Sequence, residues 1–147
     1  MMKPIRFHLP GIPHTITNNS FSHCAFTGKV LRFSPMMQSI GHEVIHYGVE
    51  GSESGASNEI NLLTKQEWQD LRLASYQLLH PEKTPEHVEE HLADEKNFVG
   101  DLANLNTPLY QEFNKRFQRE LKKHYQDKTT DILCIPFGRS YLEALKD

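Results

Sequence analysis

Ile5-Arg6-Phe7-His8-Leu9-Pro10-Gly11 and, further on, Glu43-Val44-Ile45-His46-Tyr47-Gly48-Val49 decide the fold of this chain. The first alternates apolar and polar residues and is closed by Pro10-Gly11, which reads as a strand with a hard stop. The second is a longer, largely apolar strand. Between them Phe26, Val30, Phe33, Met37 and Ile40 recur at spacings of three and four, which predicts a helix over residues 22–40 with one apolar face. Ser22 is placed to cap it and Gly41 to end it. Pro35 predicts a kink or an early break, because it loses a hydrogen bond and crowds the Leu31 carbonyl. Strand, helix and strand together form a βαβ unit, whose crossover is nearly always right-handed.

Working outward, residues 51–58 form a polar loop, and Ile60, Leu62 and Leu63 make a short third strand. Thr64 caps a short helix that contains Trp68, Leu71 and Leu73. Residues 76–106 are rich in Pro, His and Glu and read as a peripheral insertion, with a short helix from Pro85 to about Asp94 behind Thr84. Thr107-Pro108 opens a helix in which Tyr110, Phe113, Phe117, Leu121 and Tyr125 trace an apolar stripe. Lys115, Arg116, Arg119, Lys122 and Lys123 are expected to face solvent there. Asp131-Ile132-Leu133-Cys134-Ile135-Pro136-Phe137 is nearly continuous in apolar residues, as in a parallel strand buried on both faces. Gly138 then turns the chain, and Ser140 caps a final short helix over 141–146. The expected fold class is α/β: a Rossmann-like three-layer domain with a small parallel sheet of about four strands, one domain over residues 1–147.

Composition narrows the function classes. At 147 residues, 37% hydrophobic and 24% charged, the chain has the make-up of one folded domain. A net charge of -3 argues against a dedicated nucleic-acid binder, which shows a basic face. No apolar run approaches the ~18 residues of a membrane span. The start, Met1-Met2-Lys3-Pro4, lacks the apolar core of a signal peptide, so a cytoplasmic location is the expectation. Cys24 and Cys134 stand in different elements without a CxxC partner. They are expected to be buried free thiols rather than a disulfide or a zinc site.

In open parallel sheets, ligands bind beyond the carboxyl ends of the strands. Residues 11–22, 50–58 and 138–140 fall there. The first segment has a lone Gly11 and does not match GxGxxG, which disfavours a dinucleotide site, and no cofactor is expected. It does offer His14, Thr15, Thr17, Asn18, Asn19 and Ser20, small donors and acceptors that suit sugar hydroxyls; an ordinary polar loop has the same composition. His14 is the candidate catalytic base, since histidine titrates in the useful range, although a single loop histidine is more often merely exposed. Gly138 and Arg139 complete the candidate binding set. His87-Val88-Glu89-Glu90-His91 matches the HxxEH pattern of inverted zinc peptidases, but no distal ligand is identifiable. It reads as a solvated acidic helix, and no metal site is expected.

Three segments resemble a known family. Pro10-Gly11-Ile12-Pro13-His14-Thr15, Cys24-Ala25-Phe26-Thr27-Gly28-Lys29-Val30 and Gly41-His42-Glu43-Val44-Ile45-His46-Tyr47-Gly48 are similar to the opening of a group of GT-B glycosyltransferases from microbes and large viruses. That group carries "GxPHT" after its first strand, "CAxTxKV" at the start of its first helix and "GHEVxHYG" on its second strand. Ile132-Leu133-Cys134 with Gly138 resembles the strand before its "GxG(H/R)" turn. The likeness covers roughly residues 5–50 and 108–142. It implies the N-terminal, acceptor-side half of a GT-B fold, facing a nucleotide-sugar-binding half across a cleft. The implied partners are a glycan or other acceptor, and a nucleotide-sugar donor held without a DxD-bound metal. The donor half lies outside these 147 residues, so the chain alone is expected to be catalytically incomplete. A non-catalytic sugar- or nucleotide-binding module is the alternative, and a protein-interaction domain using the acidic residues 81–101 a third reading.

Overall fold

The computed structural model describes residues 3–97 and 106–135. Its centre is a four-stranded sheet in the order β3-β2-β1-β4, built from β1 (Arg6–Pro10), β2 (Glu43–Val49), β3 (Asn58–Leu63) and β4 (Asp131–Leu133). Every pair is parallel, with Arg6 opposite Glu43 and Asp131, and Ile45 opposite Asn58. Helix α1 (Ala25–Ser39) covers one face. Helices α2 (Lys65–Leu79) and α4 (Pro108–His124) cover the other, and α3 (Pro85–Leu92) packs on α2. The α/β class and the small parallel sheet are as expected.

The two faces are unequal. Ile45, Tyr47 and Val49 of β2 join Trp68, Phe113 and Phe117 in a large core under α2 and α4, whereas on the α1 face Leu9, Val30 and Val44 form a small one. Helix α1 explains the difference. Its buried residues are Thr27, Gly28, Val30 and Ser34, while Phe26 and Ile40, expected on its apolar face, are 38% and 63% exposed. Small side chains are needed because the connection from β2 to β3, residues 50–57, also lies on this side. Its Ser57 amide donates to the Val44 carbonyl, and Gln38 of α1 donates to the Gly55 carbonyl. Gly55 has φ +80°, and a Cβ there would stand 2.9 Å from Pro35 Cγ. The segment therefore braces α1 at its proline, and the helix runs through Pro35 to Ser39 without the expected break.

Other boundaries also move. Ser22 does not cap α1. Asn18 caps a 3-10 turn, Asn19–Phe21, and Cys24 takes the α1 N-cap position without a side-chain bond. Helix α2 is longer than expected because its inward residues, Trp68, Arg72, Ser75 and Tyr76, are partly polar and interrupt the apolar signal. Its Thr64–Glu67 capping box, the Thr84 cap of α3 and the Thr107-Pro108 start of α4 match the sequence reading. Within residues 76–106, Tyr76 and Val88 belong to the core, so the segment is anchored at these points. Arg116 does not simply face solvent. It donates to the Leu62 carbonyl at 2.9 Å and pairs with Glu67 at 2.6 Å and Glu112 at 2.9 Å. The Arg116 guanidinium, with the Thr64 amide, holds the Glu67 carboxyl down at about 2. Strand β4 ends at Leu133 and, among the described residues, lies at the sheet edge with Ile132 43% exposed, not buried on both faces; residues 136–137 of the expected strand lie outside the described residues. The expected final helix over 141–146, and the turn before it, lie outside the described residues.

Besides the backbone ladder, a buried side-chain network around the Asp131 carboxylate holds β4 to β1. His8 and Asp131 are both buried, with His8 Nε2 2.6 Å from Asp131 Oδ1 and His8 Nδ1 2.8 Å from the Tyr47 hydroxyl. Asp131 also accepts the Gln126 and Asp127 amides, at 3.2 and 2.8 Å. Burial opposes ionisation of Asp131, but these hydrogen bonds win and hold its carboxyl below the ordinary value. Burial likewise holds His8 below its ordinary value against the pull of Asp131. Both depressions act in one direction: stability is present above the unfolded-state values and lost on acidification. Asp131→Asn should cost about 3 kcal/mol near neutral pH. In urea titrations the gap between parent and variant should begin to narrow below about pH 4, the unfolded-state value, and go on narrowing as the pH falls toward the lower folded-state value. A gap that stays constant down to pH 3 would rule out the charged clamp.

Candidate functional site

The segment between β1 and α1, residues 11–24, is pinned from below. Ile12 and Ile16 are buried in the main core, and Trp68 Nε1 donates to the Pro13 carbonyl at 3.0 Å. This anchoring sends the candidate side chains in three directions. His14 is half-buried and meets α4, with Nδ1 3.1 Å from the Tyr110 hydroxyl. Thr15 is buried against α1, its hydroxyl 2.7 Å from that of Thr27. Thr17 is buried toward β2. Asn18 serves the backbone, accepting the Ser20 amide at 2.9 Å and donating to the Gly51 carbonyl, while Asn19 and Ser20 are exposed. Gly138 and Arg139 lie outside the described residues. A separate apolar groove of about 340 Å3 runs beside α1 between Leu9, Val30, Phe33, Met36 and Cys134 and includes none of these loop residues.

Burial first, and the Arg72 charge second, lower the His14 imidazole to about 4. It is therefore neutral at pH 7, a good hydrogen-bonding group but a weak proton acceptor.

A second histidine, which the sequence reading did not single out, has a different environment. His46 is fully buried in β2 opposite Glu59 of β3, and its Nδ1 lies 2.6 Å from Glu59 Oε2. The other Glu59 oxygen accepts both the amide and the hydroxyl of Ser54. Burial disfavours the Glu59 carboxylate, but the bonds from His46 and Ser54 outweigh it and keep the carboxyl below its ordinary value. With Nδ1–H donated to a carboxylate, Nε2 is left as the accepting atom. Among the described residues it has no partner, and neither has the buried Thr17 hydroxyl. Leaving such groups unsatisfied costs about 1–3 kcal/mol each.

Both atoms converge on Gly11. A Cβ there would stand 2.7 Å from Thr17 Oγ1 and 3.1 Å from His46 Nε2. At Gly48 a Cβ would stand 2.5 Å from His46 Cε1 and 3.1 Å from Ser52 Oγ. Neither glycine has positive φ, so space and not backbone conformation excludes a side chain here. The one sequence signal for this pair was a histidine inside an apolar strand with a glycine two residues on. Its carboxylate partner depends on the β2–β3 register, which has no local signature.

The HxxEH segment divides. His87 is exposed on α3, whereas His91 stacks on Tyr76 at 4.9 Å and its Nε2 lies 2.9 Å from the Asn97 carbonyl. Among the described residues no group of three or more His, Cys, Asp or Glu is placed to hold a metal, and no helix is long and apolar enough to cross a membrane. Cys24 and Cys134 are free and half-buried, and burial pushes the Cys134 thiol up.

No protein-family model, no curated protein and no solved structure matches this chain.

Two substitutions check the crowding at Gly11. Gly11→Ala should cost about 1–3 kcal/mol in urea unfolding, because the stiff Thr17 side chain and the Glu59-held ring cannot both yield. Thr17→Val keeps the shape and removes a buried hydroxyl with no partner among the described residues, so it should be neutral or stabilising by up to about 1–3 kcal/mol. A loss of stability in Thr17→Val would mean that the hydroxyl has a structural partner.

Proposed function

We propose that this chain is the acceptor-side half of a GT-B type glycosyltransferase, holding the alcohol that receives a sugar from a nucleotide-sugar donor. The supporting observation is where the three family-like segments meet. Residues 10–15 close β1, residues 24–30 open α1 and residues 41–48 lead into and form β2. Thr15 joins the first to the second through Thr27, and Gly11 abuts His46 of the third. Segments far apart in sequence thus share one corner near the carboxyl ends of β1 and β2, where open parallel sheets bind ligands. The groups there are hydroxyls, amides and imidazole with the Glu59 carboxylate behind the His46 ring, a set that suits a sugar better than a phosphate. On this reading the donor is bound by the second half, and this chain contributes acceptor contacts from the segment after β1. His14, neutral and steadied by Tyr110, serves as a hydrogen-bonding contact.

Titration of the chain with methyl hexosides and, separately, with nucleoside diphosphates tests this. The hexosides should bind and shift backbone amide resonances of residues 11–22, while the diphosphates leave them unmoved. His14→Ala should weaken hexoside binding about tenfold, equivalent to about 1.4 kcal/mol. Saturable diphosphate binding with the hexosides silent would replace this reading with a nucleotide-binding module.

A further inference from the structure

We propose that His46 Nε2 and Thr17 Oγ1 form a corner that binds one alcohol hydroxyl of a ligand, with His46 accepting its hydrogen. The two sheet histidines make the contrast. His8 is fully buried and bonded at both ring nitrogens, to Tyr47 and Asp131, as a structural histidine should be. His46 is as deeply buried but, among the described residues, bonded at one only, and its other nitrogen shares a corner with a second unpartnered polar atom. Buried polar groups are nearly always satisfied, so a coincident pair of exceptions calls for a missing partner.

The chemistry of the pair selects that partner. In the neutral ring, with Nδ1–H given to Glu59, Nε2 accepts, and the Thr17 hydroxyl can donate. A group that donates to one and accepts from the other is a hydroxyl, and an alcohol that takes the place of a buried water there is the partner we assign. The Glu59 carboxylate beside the ring repels a phosphate or carboxylate. Two ligating atoms do not make a cage for a divalent cation.

The walls fit this assignment. Gly11 and Gly48 leave the ring its space, and the covering segment turns Ser52 and Ser54 inward, not apolar residues. In taking the hydroxyl to be that of the sugar acceptor, the inference rests on the function proposed above; the corner itself requires only an alcohol.

Long-range proton–nitrogen correlation spectra of the full chain resolve the two nitrogens of His46. The probes are methyl hexosides and, independently, glycerol. The expected result is a His46 Nε2 resonance that moves with saturation by either probe while Nδ1 keeps its protonated position. Thr17→Val should weaken the binding at least about tenfold, and Thr17→Ser should stay within about threefold of the parent. If hexosides shift the amides of residues 11–22 but leave His46 Nε2 unmoved, and Thr17→Val binds them like the parent, the corner is overturned and the acceptor reading stands. If glycerol alone moves Nε2, and does so only with the Thr17 hydroxyl present, the corner stands and the acceptor reading falls. An Nε2 resonance unmoved by both probes overturns the corner outright.

Discussion

Parallel strands in one sheet must be joined by a chain that travels back along their length, and here β2 reaches β3 with only residues 50–57. A crossover of a dozen or more residues normally carries a helix. Glu50 and Gly51 turn the chain, and the residues left, 52–57, span at most about 20 Å when extended, close to the length of β2, so they have no slack to coil. It runs stretched across the sheet with alternate residues, Ser52 and Ser54, facing in. Much of the α1 face follows from this. The helix must turn small side chains toward the segment, Gly55 must pass over Pro35, and the Ser54 amide and hydroxyl find an acceptor in Glu59. Glu59, so fixed, orients His46.

The parts of the fold that were legible in the sequence are those governed by local rules. Thr64, Thr84 and Thr107 announce helix starts through chemistry confined to one turn. The aromatic stripe of α4 is plain because its buried face is apolar throughout. Helix α1 misleads because its inner face is dictated by a segment that passes over it, so Thr27 and Ser34 go in and Ile40 stays out. β4 misleads for a related reason. Apolar continuity reports cover on both faces only when a strand has neighbours on both sides, and β4 has one among the described residues.

The candidate site was half legible. Loop composition and the position after β1 pointed to His14, Thr15 and Thr17, but not to which element each would meet. A loop anchored by Ile12, Ile16 and Trp68 distributes its side chains according to tertiary packing. The His46–Glu59 pair is a cross-strand contact between residues thirteen apart, created by register alone. What the sequence did carry was its negative image, glycine at positions 11 and 48 where a side chain would collide.

The unequal cores on the two sides of the sheet have a dynamic consequence. Local opening is least costly where few apolar contacts are lost, so fluctuations concentrate on the thinly covered side. On the α2 and α4 side, Trp68, Phe113 and Phe117 make any excursion expensive. On the other side the cover is a helix that mixes Thr27, Gly28 and Ser34 with Val30, Phe33 and Met37, and one extended strip held largely by hydrogen bonds that water can replace. The molecule is thus a stiff plate with a compliant lining, and Gly11, Thr17 and His46 belong to the lining, where a small solute needs to displace only that strip and not the sheet beneath it.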